Sequence, residues 1–155
     1  MGRVIGIYLR PSARTPVRSV ESAEAIVGKG LKGDHAGGGN RQVTLIEEEK
    51  WRAACHDLGH TLSGGTRRAN VVVEGLSLSK SIGGQLRVGD VMIHVIGETR
   101  PCRLMDAAAE GLQEALSPDF RGGVHGKVVE GGIVSIGTSV ELVEHAEEEP
   151  CGSRP

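Results

Sequence analysis

The sequence predicts a mainly β chain: a partly closed, mostly antiparallel β-barrel with a few inserted helices. Three observations carry this expectation. Short β-branched runs outnumber helical ones, and 24 glycines punctuate the 155 residues as the turns of many short strands would. The helical patterns also do not alternate regularly with the strands, which disfavours a doubly wound parallel sheet. At this length a single domain with its own core is expected. It spans residues 1–144, and the acidic stretch 145–155 lacks apolar periodicity and reads as a disordered tail.

Each element follows in order. RVIGIYL (Arg3–Leu9) is rich in β-branched residues and reads as a strand. Residues 10–42 carry two prolines and a dense cluster of glycines, and read as a long irregular segment with at most a short strand at EAIV. VTLI (Val43–Ile46) is a buried strand. EEEKWRAACHDLG then starts acidic, places Trp51, Ala54, Cys55 and Leu58 at helical spacing, and stops at Gly59. ANVVVEG is a strand entering a turn. GGQLRVGDVMIHVIGE sets Val91, Ile93 and Val95 inward and Met92 and His94 outward. CRLMDAAAEGLQEALS reads as a helix with Leu104, Ala108, Leu112 and Leu116 on one stripe. GKVVEGGIVSIGTSVELVE holds two strands around Glu130-Gly131-Gly132, with room for a third after Gly137.

Composition excludes several functions. The formal net charge is -2 and there is one Trp, one Tyr and one Phe, so neither a basic face nor a base-stacking platform for nucleic acid is expected. No apolar run is long enough to span a bilayer, and MGRVIGIYLR lacks the apolar stretch of a secretory signal. A cytoplasmic protein without a membrane partner is the expectation. The three cysteines, Cys55, Cys102 and Cys151, form no CxxC pair, which argues against a disulfide framework and a four-cysteine zinc site.

The chemistry candidates begin with GETRPCRLMD. Cys102 stands between Arg100 and Arg103, at the start of the predicted helix. Nearby cations and a helix N-terminus both favour a thiolate, the form that acts as nucleophile or metal ligand. Cysteine is equally a small residue that fits a core, so this local pattern leaves both readings open. Cys55, on an apolar helical stripe, is assigned to core packing. GLKGDHAGGGNRQ places Asp34 and His35 among glycines, with Lys32 and Arg41 near. Such a loop either converges its backbone N–H groups on an anion or is a plain turn. No Lys-Ser or Lys-Thr pair makes it a P-loop. In TRRAN, paired arginines either clamp a phosphate or form a solvated turn. His125, within GGVHG, either touches a ligand or faces solvent. A zinc site of His35, His125 and Cys102 has no diagnostic spacing, and no GxSxG elbow supports serine catalysis.

Taken together, GLKGDHAGGGNRQVTLIEEEKW, RRANVVVEG, LRVGDVMIHVIGETRPCRLMD and GKVVEGGIVSIGTSVELVE occur in the order found in MOSC domains. The chain resembles a small stand-alone member of this family, named for the C-terminal region of molybdenum cofactor sulfurases. The resemblance extends over residues 1–144. It implies a β-barrel that binds molybdenum cofactor, a pterin dithiolene carrying a phosphate and a molybdenum ion. It makes Cys102 the molybdenum ligand or the sulfur carrier. Arg68 would pair with the cofactor phosphate and Asn70 would orient nearby groups. Asp34 and His35 match the family's Gly-Asp loop. Arg41, Arg100 and Arg103 would add anion contacts. No pyridoxal phosphate is expected, since the chain has no room for a desulfurase domain.

Three activities follow from the resemblance. The first is reduction of a small N-hydroxylated substrate, such as a hydroxylaminopurine, with electrons from a separate donor protein. The second is sulfur carriage by a Cys102 persulfide that a cysteine desulfurase supplies. The third is non-catalytic binding. Two positions depart from the family: Gly137-Thr138 stands where relatives commonly show Gly-Asp, and His125 where an aromatic is common.

Overall fold

The computed structural model describes residues 2–12, 17–34, 39–59, 69–99 and 123–143. The predicted helix over 102–117 and the predicted tail lie outside them. In chain order the strands are β1 (Gly2–Leu9), β2 (Arg18–Val20), β3 (Ser22–Ile26), β4 (Gly30–Leu31) and β5 (Val43–Glu47). Helix α1 (Glu48–Leu58) follows, then β6 (Val71–Glu74), β7 (Gln85–Val88), β8 (Val91–Glu98), β9 (Val124–Glu130), β10 (Gly132–Ser135) and β11 (Ser139–Val143).

Seven strands form a closed barrel in the order β11-β7-β8-β9-β5-β6-β1, because β1 returns to β11 through Gly2–Val140 and Arg3–Ser139. Closure removes the open edges that a sheet must otherwise protect. The far half of β1 carries β2 (Ile7–Val20 to Leu9–Arg18). A second sheet, β10-β3-β4, packs its Ala23, Ala25, Leu31 and Val134 into the barrel's core cluster. β5 and β6 are parallel, joined by the α1 crossover, and every other pairing among the described strands is antiparallel.

Parity explains the apolar runs. Leu45, Val71 and Val73 point into the barrel with Val4, Ile7, Leu86, Ile93, Val95 and Val140. Ile46 and Val72 point outward, where Trp51, Ala54 and Cys55 of α1 and Ala69 cover them. β5 and β6 are thus buried on both faces, which is why VTLI and VVV read as continuous rather than alternating. Cys55 packs in this outer cluster, as its helical stripe predicts. α1 ends on Gly59 at φ 81, whose N–H bonds the carbonyls of Cys55 and His56.

The structure differs from expectation in three places. The barrel is fully rather than partly closed. β2 and β4 are short strands that a polar or glycine-rich sequence does not announce. Met92, on the outward set of β8, is buried at 5% exposure, while Val91, Ile93 and Val95 face inward as predicted. A register shift against β9 between Met92 and Ile93 interrupts simple alternation there.

Candidate functional site

One end of the barrel gathers polar side chains, and the N-terminal half of β5 is its hub. Asn70, just before β6, is buried. Its Oδ1 accepts the Thr44 N–H at 3.0 Å and the Thr44 hydroxyl at 3.2 Å, while its Nδ2 donates to the Tyr8 carbonyl at 3.3 Å. The Tyr8 N–H donates back to the Asn70 carbonyl at 2.7 Å, and the Asn70 N–H reaches the Thr44 carbonyl at 3.0 Å. This knot ties β1, β5 and β6 together where the chain emerges from residues 60–68.

The other strand ends fasten to the same place. The Thr99 N–H donates to the Gly123 carbonyl at 2.8 Å, closing the two ends that flank residues 100–122. Gly123 has φ +86, and a Cβ there would collide with the Leu45 carbonyl, so this approach to β5 requires glycine. Gln42 donates through its backbone N–H to Gly126 and through Nε2 to the Gly39 carbonyl, and its Oε1 accepts the Val128 N–H, each at 3.0 Å. Asp34 accepts the Arg10 N–H at 2.8 Å, two residues beyond Tyr8. These bonds anchor both sides of residues 35–38.

His125 lies in the middle of the outer wall. On β9 it pairs with Thr44 of β5 on one side and Gly97 of β8 on the other. Its Nδ1 stands 3.5 Å from the Thr99 hydroxyl, a long contact. Burial pushes the imidazole below its ordinary value, and the Arg41 guanidinium pushes it further the same way. Both effects favour the neutral ring, and Arg41 itself is exposed. A groove of about 610 Å³ is lined by Asp34 together with Ile26, Lys29, Leu31 and Lys32.

Of the residues predicted for a site, Asp34, Arg41 and Asn70 are described, and the structure brings them to this one end. His35, Arg68, Arg100, Cys102 and Arg103 lie outside the described residues, and with them two members of the zinc combination of His35, His125 and Cys102. Among the described residues no three His, Cys, Asp or Glu side chains group as a metal site. Thr44, Gln42 and Thr99 were not legible as site residues. Nothing in VTLI distinguishes a threonine that holds an asparagine from one that merely suits a strand.

The profile of the MOSC domain matches residues 32–141. This chain belongs to the MOSC family. The family is associated with molybdenum-cofactor-related function. Solved structures share the fold of this MOSC protein. The YuaD protein from Bacillus subtilis aligns with TM-score 0.73 at 18% identity, covering 92% of this chain and 96% of that one. YiiM from Geobacillus stearothermophilus gives 0.76 at 16% identity, covering 93% and 76%. YiiM from Escherichia coli gives 0.70 at 18% identity, covering 92% and 70%. No curated protein matches the chain significantly. No helix among the described residues of this MOSC protein is long and apolar enough to cross a membrane.

Proposed function

We propose that this MOSC protein binds molybdenum cofactor at the polar end of its barrel, with Cys102 as the molybdenum ligand, and reduces a small N-hydroxylated substrate. The observation that carries this reading is the convergence of strand ends. The flanks of residues 35–38 and 100–122, and the exit from residues 60–68, are all hydrogen-bonded to the first half of β5 or to its neighbours. Those three stretches contain His35, Arg68, Arg100, Cys102 and Arg103.

The described donor set fits an anionic group. Arg41 supplies a cation at the lead-in to β5. Lys29 and Lys32 edge the neighbouring groove. In this reading Arg68, Arg100 and Arg103 contact the phosphate, where guanidinium forks suit its oxygens. Cys102, three residues after Thr99, binds the metal as a soft thiolate. Asn70 positions the start of β6 rather than touching the ligand, since Thr44 occupies its oxygen and Tyr8 takes one of its N–H groups. Asp34 holds the end of its loop on the Arg10 N–H. When bound, the cofactor supplies a metal centre able to exchange electrons with a separate donor protein.

The test is expression in a host that makes the cofactor, followed by molybdenum and pterin analysis. Wild-type protein is expected to carry both. Cys102→Ala is expected to lose molybdenum while Cys55→Ala keeps it, and Arg68→Ala to lose pterin. Well-folded wild-type protein that holds neither, and takes up neither when cofactor is added, sinks the reading. A persulfide on Cys102 after incubation with a cysteine desulfurase, without molybdenum, replaces it with sulfur carriage.

A further inference from the structure

We propose that the acidic run Glu147–Glu149 docks on the groove lined by Lys29 and Lys32, as a strap that a competing anion must displace. The inference does not depend on which ligand the barrel end holds.

The groove has about 610 Å³, the size of a small-ligand cleft. Ile26 and Leu31 give it an apolar lining, and Lys29, Lys32 and Asp34 supply its charge, two cations against one carboxylate. Lys29 and Lys32 are exposed, and neither makes an ion pair among the described residues. The Asp34 carboxylate is engaged elsewhere, since its Oδ1 accepts the Arg10 N–H at 2.8 Å. The cleft therefore holds two lysines whose charge the described residues leave uncompensated.

Strand register measures the way from the end of β11 to this groove. Across the wall, Val143 pairs with Gln85, Gln85 with His94, and His94 with Lys127. Beyond β9 in the same direction comes Gly28, whose N–H donates to the Val128 carbonyl at 3.4 Å. β5 leaves that place open, because its pairing with β9 runs only from Leu45–Val124 to Val43–Gly126. Four steps of strand spacing make about 19 Å along the wall. Glu147–Glu149 stand four to six residues past Val143, and extended chain of that length covers about 13–20 Å. The three glutamates thus fall within reach of the loop that carries Lys29 and Lys32.

The path between is basic. His94 and Lys127 alternate with buried Ile93, Val95 and Val128, so both face outward. The neighbouring row, Glu141–Arg87–Met92–Glu130, has a carboxylate at each end and steers an acidic segment away from itself. Residues 144–155 hold four glutamates and one arginine, so the charges of segment and path are complementary. One exposed lysine–glutamate pair is weak. A tether of a few residues offsets that weakness, because it holds the partners at an effective concentration in the millimolar range. Salt must loosen the contact, since Lys29 and Lys32 are open to solvent.

The experiment places a nitroxide spin label on Cys151, two residues past Glu149, in cofactor-free Cys102→Ser protein, where the remaining Cys55 is buried. Amide NMR signals of Gly28–Gly33 are expected to broaden more than those of any other described loop. They are expected to recover in about 0.5 M salt and on addition of inorganic phosphate. Replacing Glu147, Glu148 and Glu149 by Gln, or Lys29 and Lys32 by Ser, is expected to abolish the broadening. None of these changes touches a buried residue of the core, so the fold is spared. Broadening confined to β7 and β11, near the anchor of the segment, overturns the proposal. So does broadening at Gly28–Gly33 that survives the glutamine changes or added phosphate. Mixing spin-labelled protein with isotope-labelled, nitroxide-free protein tests the other occupant. Equal broadening in that mixture assigns the contact to a second copy and overturns the intramolecular strap. Because no cofactor is present, these outcomes are distinct from failure to find molybdenum or pterin.

Discussion

β5 presents two different walls within five residues. At Ile46 its outer face meets α1, and Trp51, Ala54, Cys55, Ala69 and Val72 seal it. At Thr44, two residues earlier, the same outer face meets Asn70 and His125. Strand parity makes the two side chains neighbours on one surface, so their surroundings alone divide them. The first wall is held by apolar area. The second is held by directed hydrogen bonds and keeps a titratable ring in place. The contrast shows how a closed barrel, whose interior is filled with side chains, leaves its directed polar groups to the outside of that interior, where strand ends and loops meet.

The largest test of this contrast is Trp51→Ala. It empties the centre of the apolar wall and is expected to cost about 3–5 kcal/mol in denaturant unfolding. Cofactor content should survive in the folded variant, since the Asn70–Thr44 hydrogen bonds of the polar wall join β5 to the start of β6. Loss of cofactor from folded protein would show the two walls to be one unit.

Asn70→Ala attacks the polar wall. It takes the Asn70 side chain from the Thr44 N–H and the Tyr8 carbonyl, and about 2–3 kcal/mol of destabilisation is expected from those groups losing that partner. Unlike Trp51→Ala, it should also lower cofactor content in protein that remains folded, because it loosens the start of β6. Equal effects of the two variants on cofactor content would erase the distinction.

The smallest effect is expected at Glu47, where the walls meet the barrel's far end. Its carboxylate is buried and accepts the Leu78 N–H at 3.0 Å, joining β5 to the turn after β6. Desolvation raises its pKa, more than the Leu78 bond and Lys50 lower it. The folded state therefore holds the proton more tightly than the unfolded chain does. Stability from this group is complete below the ordinary carboxylate value and is lost as pH rises through the raised one. Glu47→Gln keeps an acceptor for Leu78 and never ionises. It is expected to melt slightly above wild type at pH 7, with the difference vanishing as pH falls below about 4. A difference that persists at low pH would assign the effect to packing rather than to charge.

Much of the architecture was legible in the chain. The β-branched runs located β1, β5, β6 and β8, and the spacing of Trp51, Ala54 and Cys55 located α1 and its buried face. Ordered motifs carried the family resemblance that the domain profile bears out over residues 32–141. The polar knot was less legible. Asn70 drew notice through its place beside Arg68, but its partner Thr44 looks like any strand threonine, because a hydrogen bond across 26 residues leaves no trace in local pattern.

By itself the sequence determined the main β-branched strands and the face by which α1 packs. Local propensity and periodicity encode those properties within a few residues. Only the tertiary structure decided that β1 meets β11 to close the barrel and that Asn70 spends its amide on Thr44 and Tyr8. Each of these joins residues far apart in the chain, and the contact exists only once the strands have taken their register.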